Sequence, residues 1–359
     1  ASNVRAWTLV QQAATHRQAA ESALVRADNP ALAREFAAAD SLLATAESLD
    51  PAWPEPLIRR AAVAYRRSRI LDHDQLAAAR WIDRGMGHIA RALRLAPQDP
   101  DALAMRGNLR YWRWLLSLVP DQAEARALLT SAREDLESAV KIAPSQAGAW
   151  ATLSHLYYQT GNITDVKLAA QRAYEADAYL DNADVVLSRL FYVSYDLGQF
   201  TDAIHYCDVG KRRFPADSKF VECQLYLLTT RAREPDVQLA WRLADSTTRL
   251  APADERNYQR LSTRISVAAT IARAGLKDSA RHVLSRSLGN SEIDATRDLM
   301  FAAAFVYILL GDTTAALEAL KAYVVANPER RSALGNEPTW WFRPLENNSK
   351  FRELVGADR

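Results

Sequence analysis

The sequence predicts an all-α fold, an α-solenoid of about eight helical hairpins, and three observations carry that reading. One set of residue types returns at the same offsets, about 36 to 47 residues apart, along nearly all of the 359 residues. Ala, Leu and Arg dominate a composition with only 12 Gly, and the 14 Pro fall mostly between helical runs, so strands find little support. The offsets themselves are helical. In the clearest repeat, Trp150, Leu153, Ser154, Tyr157, Gly161, Val166, Ala170 and Ala173 occupy positions 4, 7, 8, 11, 15, 20, 24 and 27 of a two-helix unit. Positions 4, 7, 8 and 11 then share one face of a first helix, A. Small residues at 8, 20 and 27 let a second helix, B, approach closely, and a glycine near 15 permits the tight turn between them.

The elements follow in order. A first helix runs from Val4 to Val25 with Trp7, Val10 and Ala14 on its packing face, and its partner starts near Ala31, carries Ala39, Leu43 and Ala46, and stops at Asp50-Pro51. The second repeat has Leu57, Arg60, Ala61 and Ala64, then Gly85, Ile89 and Ala92, with Arg60 out of place at a normally apolar position. The third has Leu103, Arg106 and Gly107, then Ala132, Leu136 and Ala139. These first three repeats exceed the usual length of roughly 34 residues. The extra residues of the second and third, 66–74 and 112–122, fall between the helices, as lengthened helices or projecting loops, with longer helices the expected form.

After the clearest repeat, the fifth reads Leu187, Leu190, Phe191, Gly198, Ala203, Cys207 and Gly210, and the sixth is weaker, with Val221, Leu225, Leu228, Ala240 and Ala244. The seventh has Val267, Ala268, Ile271, Gly275, Ala280 and Leu284; the eighth has Met300, Ala303, Ala304, Tyr307, Gly311, Ala316 and Leu320. We expect one elongated domain over 1–338 and a C-terminal capping segment over 339–359, where Trp340, Trp341, Phe342 and Phe351 cover the apolar face of the last hairpin.

The bulk properties exclude several functions. With 45 basic against 43 acidic residues the net charge is +2, which does not suggest a phosphate-binding groove, so no nucleic-acid partner is expected. No apolar run is long enough to span a membrane. The opening Ala1-Ser2-Asn3 reads as the start of an excised or processed fragment. Phosphate-binding, dinucleotide-binding, metalloprotease and CxxC motifs are all missing, so no catalytic residue, cofactor or metal is expected. The one His/Asp cluster, Leu71-Asp72-His73-Asp74, is explained by Asp74 as a helix N-cap.

Cys207 and Cys223 stand eight residues on either side of Pro215, where residues of an antiparallel pair face each other. Cys207 falls on a core position and Cys223 near the start of the next A helix, and two buried reduced thiols are the expected state. Arg59, Arg60, Arg66, Arg67, Arg69, Arg106, Arg110 and Arg113 form a basic patch, read first as a solvated face and second as a contact for an acidic peptide or phosphate.

The repeat pattern identifies the chain as similar to tetratricopeptide repeat (TPR) proteins, most specifically in the fourth, fifth and eighth repeats. That resemblance implies a right-handed superhelical solenoid with helix A on the concave side. The opening VRAWTLVQQA, the segment SLDPAWPEPLIRRAAVAY and the ending Trp340-Trp341-Phe342-Arg343-Pro344-Leu345 further resemble the C-terminal TPR regions of bacterial membrane-spanning serine/threonine protein kinases and related signalling regulators. The implied function is a non-catalytic protein-protein interaction scaffold, a docking or sensor region taking a peptide or partner helix in its groove. The chain would be a soluble bacterial domain, cytoplasmic or extracytoplasmic, of a larger protein whose kinase or cyclase activity lies elsewhere. A small-molecule sensing domain and a self-association module forming a homodimer are the alternatives. Asn108 matches one position of a known carboxylate clamp, but Ile58, Ala104, Ala151 and Ser188 stand where that clamp places Lys.

By the same resemblance, position 12 of helix A faces the concave surface, and in four consecutive repeats it is Tyr65, Tyr111, Tyr158 and Tyr195. Arg66, Asn108, Trp112, His155, Gln159, Tyr192 and Asp196 share the stripe and complete the candidate ligand or peptide groove. The tyrosines either grip a ligand or pack one A helix on the next.

Overall fold

The computed structural model describes residues 1–179, 182–288, 292–336 and 339–356, and among them it contains helices and loops with no strand. The chain is an all-helical solenoid that divides into two compact units, Ala1–Leu156 and Tyr157–Arg359. In the first unit the hairpins are α1 (Val4–Val25) with α2 (Asn29–Leu49), α3 (Glu55–Ile70) with α4 (Gln75–Leu95), and α5 (Pro100–Leu115) with α6 (Gln122–Ile142). Helix α7 (Ala147–Thr160) runs across the boundary, followed by α8 (Ile163–Ala176). The second unit continues with α9 (Ala183–Asp196), α10 (Phe200–Arg213), α11 (Ser218–Leu228), α12 (Val237–Leu250), α13 (Arg256–Arg273), α14 (Lys277–Ser285), α15 (Asp298–Leu310) and α16 (Thr313–Ala326). Short helices α17 (Arg331–Asn336) and α18 (Ser349–Val355) flank a 3₁₀ segment, Trp340–Leu345.

Local chemistry sets these boundaries. Asp28, Asp74, Asp99 and Asp121 each cap a helix by accepting the backbone N–H three residues on. The N-cap bond of Asp74, 3.0 Å from Ala77 N, accounts for the His/Asp cluster. Gly161, Gly198, Gly275 and Gly311, the predicted turn glycines, all have φ between +73° and +82°, where a β-carbon is disfavoured. Ser154, Ala170 and Ala173 are fully buried, as close approach of two helices requires. The additional residues of the second and third repeats lie mostly in the helices, with 71–74 and 116–121 as the connections: α3 and α5 have 16 residues, and α4 and α6 have 21, against 14 in α9 and α10.

The packing face of α1 differs from expectation. Ala6, Val10, Ala13, Ala20 and Ala23 are buried, while Trp7 is 52 % exposed and Ala14 is exposed. The long α1/α2 pair packs through small side chains, which draws the helices together and leaves no room for the indole.

The arginine patch is paired internally. Arg60 donates to Asp40 at 2.8 Å and to Glu47 at 2.9 Å, and Arg84 and Arg91 meet the same two carboxylates. Arg106 and Arg110 share buried Asp135, Arg66 forks onto Glu21, Arg59 meets Glu55 and Arg113 meets Asp83. Arg67 lies over Trp81 and Arg69 over Trp112, 3.7 and 4.1 Å from the ring centroids. Arg60 at an apolar position is therefore the centre of a carboxylate network.

A second correction concerns the cysteines. Cys207 on α10 and Cys223 on α11 form a disulfide between fully buried residues. The antiparallel helices bring their Cα atoms to 5.8 Å, inside the range a disulfide spans. The bond closes a loop of 16 residues, which gives a stabilisation of about 3 kcal/mol by chain-entropy reasoning. Reduction, or the paired change Cys207→Ala and Cys223→Ala, is expected to lower the melting temperature by on the order of 10 °C. Identical calorimetric melts with and without reductant would contradict this.

Candidate functional site

In the second unit the A helices line one cavity of about 490 Å³. Each contributes residues three or four apart, which share a helix face: Tyr192, Tyr195 and Asp196 from α9, Glu222 and Tyr226 from α11, Tyr258, Gln259 and Ser262 from α13, and Asp298, Phe301 and Ala302 from α15. Tyr158 and Gly161 enter from α7 and the turn after it, and Tyr323 from α16. The remaining wall is the C-terminal segment, through Arg330, Ala333, Leu334, Thr339 and Trp341.

That segment is held across the second unit by contacts distant in sequence. Trp341 Nε1 donates to Tyr195 Oη at 3.0 Å, and its ring stacks on Phe305 with centroids 4.7 Å apart. Trp340 meets Tyr195, Phe200 and Phe305 edge-on, Arg343 donates to the carbonyl of Leu197, and Arg330 donates to that of Tyr158. Two turn glycines make room for it. A β-carbon on Gly198 would meet Cβ of Trp340 at 3.4 Å, and one on Gly161 would meet Cβ of Ala333 at 3.0 Å. The aromatic ending thus lies against α9, α10 and α15.

The polar groups of the cavity are differently supported. Glu222 accepts from the Tyr192 hydroxyl and, at 2.6 Å, from Gln259 Nε2; burial raises its pKa, against which both hydrogen bonds act. Tyr195 is anchored by Thr229, 2.6 Å away, as well as by Trp341. Asp196 has no hydrogen-bond or ion-pair partner among the described residues, and burial alone pushes its pKa up to about 7. Burial holds the Tyr158, Tyr192, Tyr226 and Tyr258 hydroxyls neutral well into the alkaline range. Asp298 is more exposed and accepts from Thr296, while the Arg330 guanidinium lies 6.0 Å from the Tyr158 ring centroid.

Four of the eleven candidate groove residues therefore come together here: Tyr158, Tyr192, Tyr195 and Asp196. Gln159, half-buried near the end of α7, is outside the lining. In the first unit Tyr111 is buried, hydrogen-bonded to His155 Nδ1 at 3.1 Å and stacked on Trp114. Trp112 is buried beneath Arg69, Arg66 is engaged by Glu21, and Tyr65 and Asn108 are half-buried. Sequence reasoning missed Glu222 and Tyr226, although they follow Ser188 and Tyr192 at one repeat length. It also missed Tyr258, Gln259, Asp298 and Arg330, which no repeated position marks.

Among the described residues no three metal-ligating side chains come together, and no helix is long and apolar enough to cross a membrane. No protein-family model and no curated protein matches this sequence. Among solved structures the chain is similar to the APC/C hetero-tetramer Cut9-Hcn1, with 12% identity over 90% of this chain and 52% of that one and a TM-score of 0.46. It is similar to yeast Tom70 with 14% identity over 91% and 59% of the two chains and a TM-score of 0.37. A tetratricopeptide repeat protein from Parabacteroides merdae ATCC 43184 gives 12% identity over 94% and 98% and a TM-score of 0.35. The chain spans little more than half the length of the first two.

Proposed function

We propose that this chain is a non-catalytic interaction scaffold whose second unit recognises a compact ligand in the cavity between its A helices. The observation that carries this reading is the C-terminal segment. With Trp341 against α9 and α15, Arg330 against the end of α7 and Leu334 in the wall between, the segment turns what would be a groove for an extended peptide into a pocket of about 490 Å³, a size suited to a small molecule or a single side chain. A small-molecule sensor therefore fits the second unit better than a peptide groove does. The resemblance of both chain ends to kinase-linked TPR regions supports a place in a larger bacterial signalling protein, with any kinase or cyclase activity outside this chain. In the first unit, the same A-helix positions support packing, as buried Tyr111 with its partner His155 illustrates.

A thermal-shift screen of a metabolite library against the protein and against Ser262→Phe, which places a ring in the cavity, tests the proposal. A ligand at one hundred times its Kd is expected to stabilise by about 2.7 kcal/mol, and the shift should vanish in Ser262→Phe while the helical circular dichroism stays unchanged. Hits that shift both proteins equally, or a library without hits, would reject the cavity as the recognition site.

A further inference from the structure

We infer that the ligand of this cavity is a small organic cation carrying an alkylammonium head. The inference rests on the proposed function, since it names the chemical class that the recognition site takes. The walls supply the first argument: Tyr158, Tyr192, Tyr226, Tyr258, Phe301 and Trp341 enclose the space, and aromatic rings attract an ammonium through their electron-rich faces. Charge supplies the second. Asp196, Glu222 and Asp298 line the cavity against the single guanidinium of Arg330, which is already bonded to the Tyr158 carbonyl.

The two half-buried carboxyls are prepared differently, and that difference locates the cation. Glu222 has both oxygens engaged, by Tyr192 and Gln259, so it is a fixed wall of the cavity with its hydrogen bonds already made. Asp196 faces the same space, half-buried and without a partner among the described residues, and a partly desolvated carboxylate in that state is costly. A neutral apolar ligand would bury it further, and an anion would repel it. An ammonium gives it a charge-assisted hydrogen bond that no donor among the described residues supplies. A metal ion would demand several oxygen ligands at short range, whereas aromatic walls suit a large, diffuse, weakly hydrated cation. The covering C-terminal segment favours a free molecule over a lysine side chain, whose attached backbone would have to enter beside Trp341.

Isothermal titration at pH 8 tests the inference with four probes: choline, cadaverine, the neutral choline isostere 3,3-dimethyl-1-butanol, and glutarate. The expected result is that choline or cadaverine binds roughly tenfold or more tightly than the isostere. Asp196→Asn should weaken that cation by a similar factor while keeping its helical dichroism. Equal affinity for choline and its isostere, tighter binding of glutarate, or undiminished cation binding by Asp196→Asn each overturns the cation class. In those cases a signal that Ser262→Phe abolishes leaves the recognition site standing. Absence of binding by both cations also overturns the inference, whatever the library screen finds. N-acetyl-lysine amide binding more tightly than cadaverine would overturn the free molecule in favour of a protein side chain.

Discussion

A chain lacking residues 339–359 is expected to lose the folded second unit. The segment buries Trp341, Phe342, Leu345, Phe351 and Val355, each at most 8 % exposed. At about 1.5–3 kcal/mol per buried side chain this removes on the order of 10 kcal/mol, comparable with the whole stability of an ordinary domain. Truncation also uncovers Phe305 and deprives buried Tyr195 of one of its two hydroxyl partners. Hydrogen exchange should show lost amide protection in α9 and α15. Trp341→Ala alone is expected to cost about 3–5 kcal/mol. Native protection in α9 of the truncated protein would show that the segment is only an ornament on a self-sufficient stack.

Asp196→Asn should change stability in the opposite direction. Its folded pKa of about 7 lies above the ordinary aspartate value of 3.8, so between those pH values the native state binds more protons than the unfolded chain. Stability therefore falls as pH rises through this window and this group adds no further change above it. At pH 8 the native state carries a desolvated carboxylate that the amide removes, a gain on the order of 2–4 kcal/mol. At pH 4 the gain should nearly vanish. Glu222, also raised by burial, and the facing Asp298 and Arg330 are common to both proteins, while Tyr158, Tyr192, Tyr195, Tyr226 and Tyr258 stay neutral, so the difference isolates Asp196. Urea unfolding at the two pH values measures it, and equal differences at both would refute the assignment. A substitution that strengthens the fold while weakening ammonium binding marks a residue kept for its ligand.

How much of this was legible depended on the range of the interaction. Turn glycines such as Gly161 and Gly198 and buried small residues such as Ser154 and Ala170 were readable, because a helical period fixes which residues meet within a hairpin. The face of α1 was not, since Trp7 competes with alanines and periodicity alone does not say which side wins. Asp40, Glu47 and Asp135 neutralise the arginines from other helices, a pairing that a one-dimensional charge run conceals. In the cavity, the α9 stripe was visible through Tyr192, Tyr195 and Asp196. The same face on α11 was hidden by a weak repeat, and Trp341 was legible as apolar surface needing burial but not as a partner of Tyr195.

The bond between Trp341 and Tyr195 joins residues 146 apart in the chain. Stacked hairpins otherwise meet only near neighbours, which permits them to form one after another as the chain is made. Here α9 leaves the ribosome long before its indole partner exists, on the order of ten seconds earlier at ordinary elongation rates. During that interval the aromatic residues around Tyr195 are without their final cover, so the second unit matures late in synthesis, and a chaperone that shields apolar surface would find its natural client in this nascent intermediate.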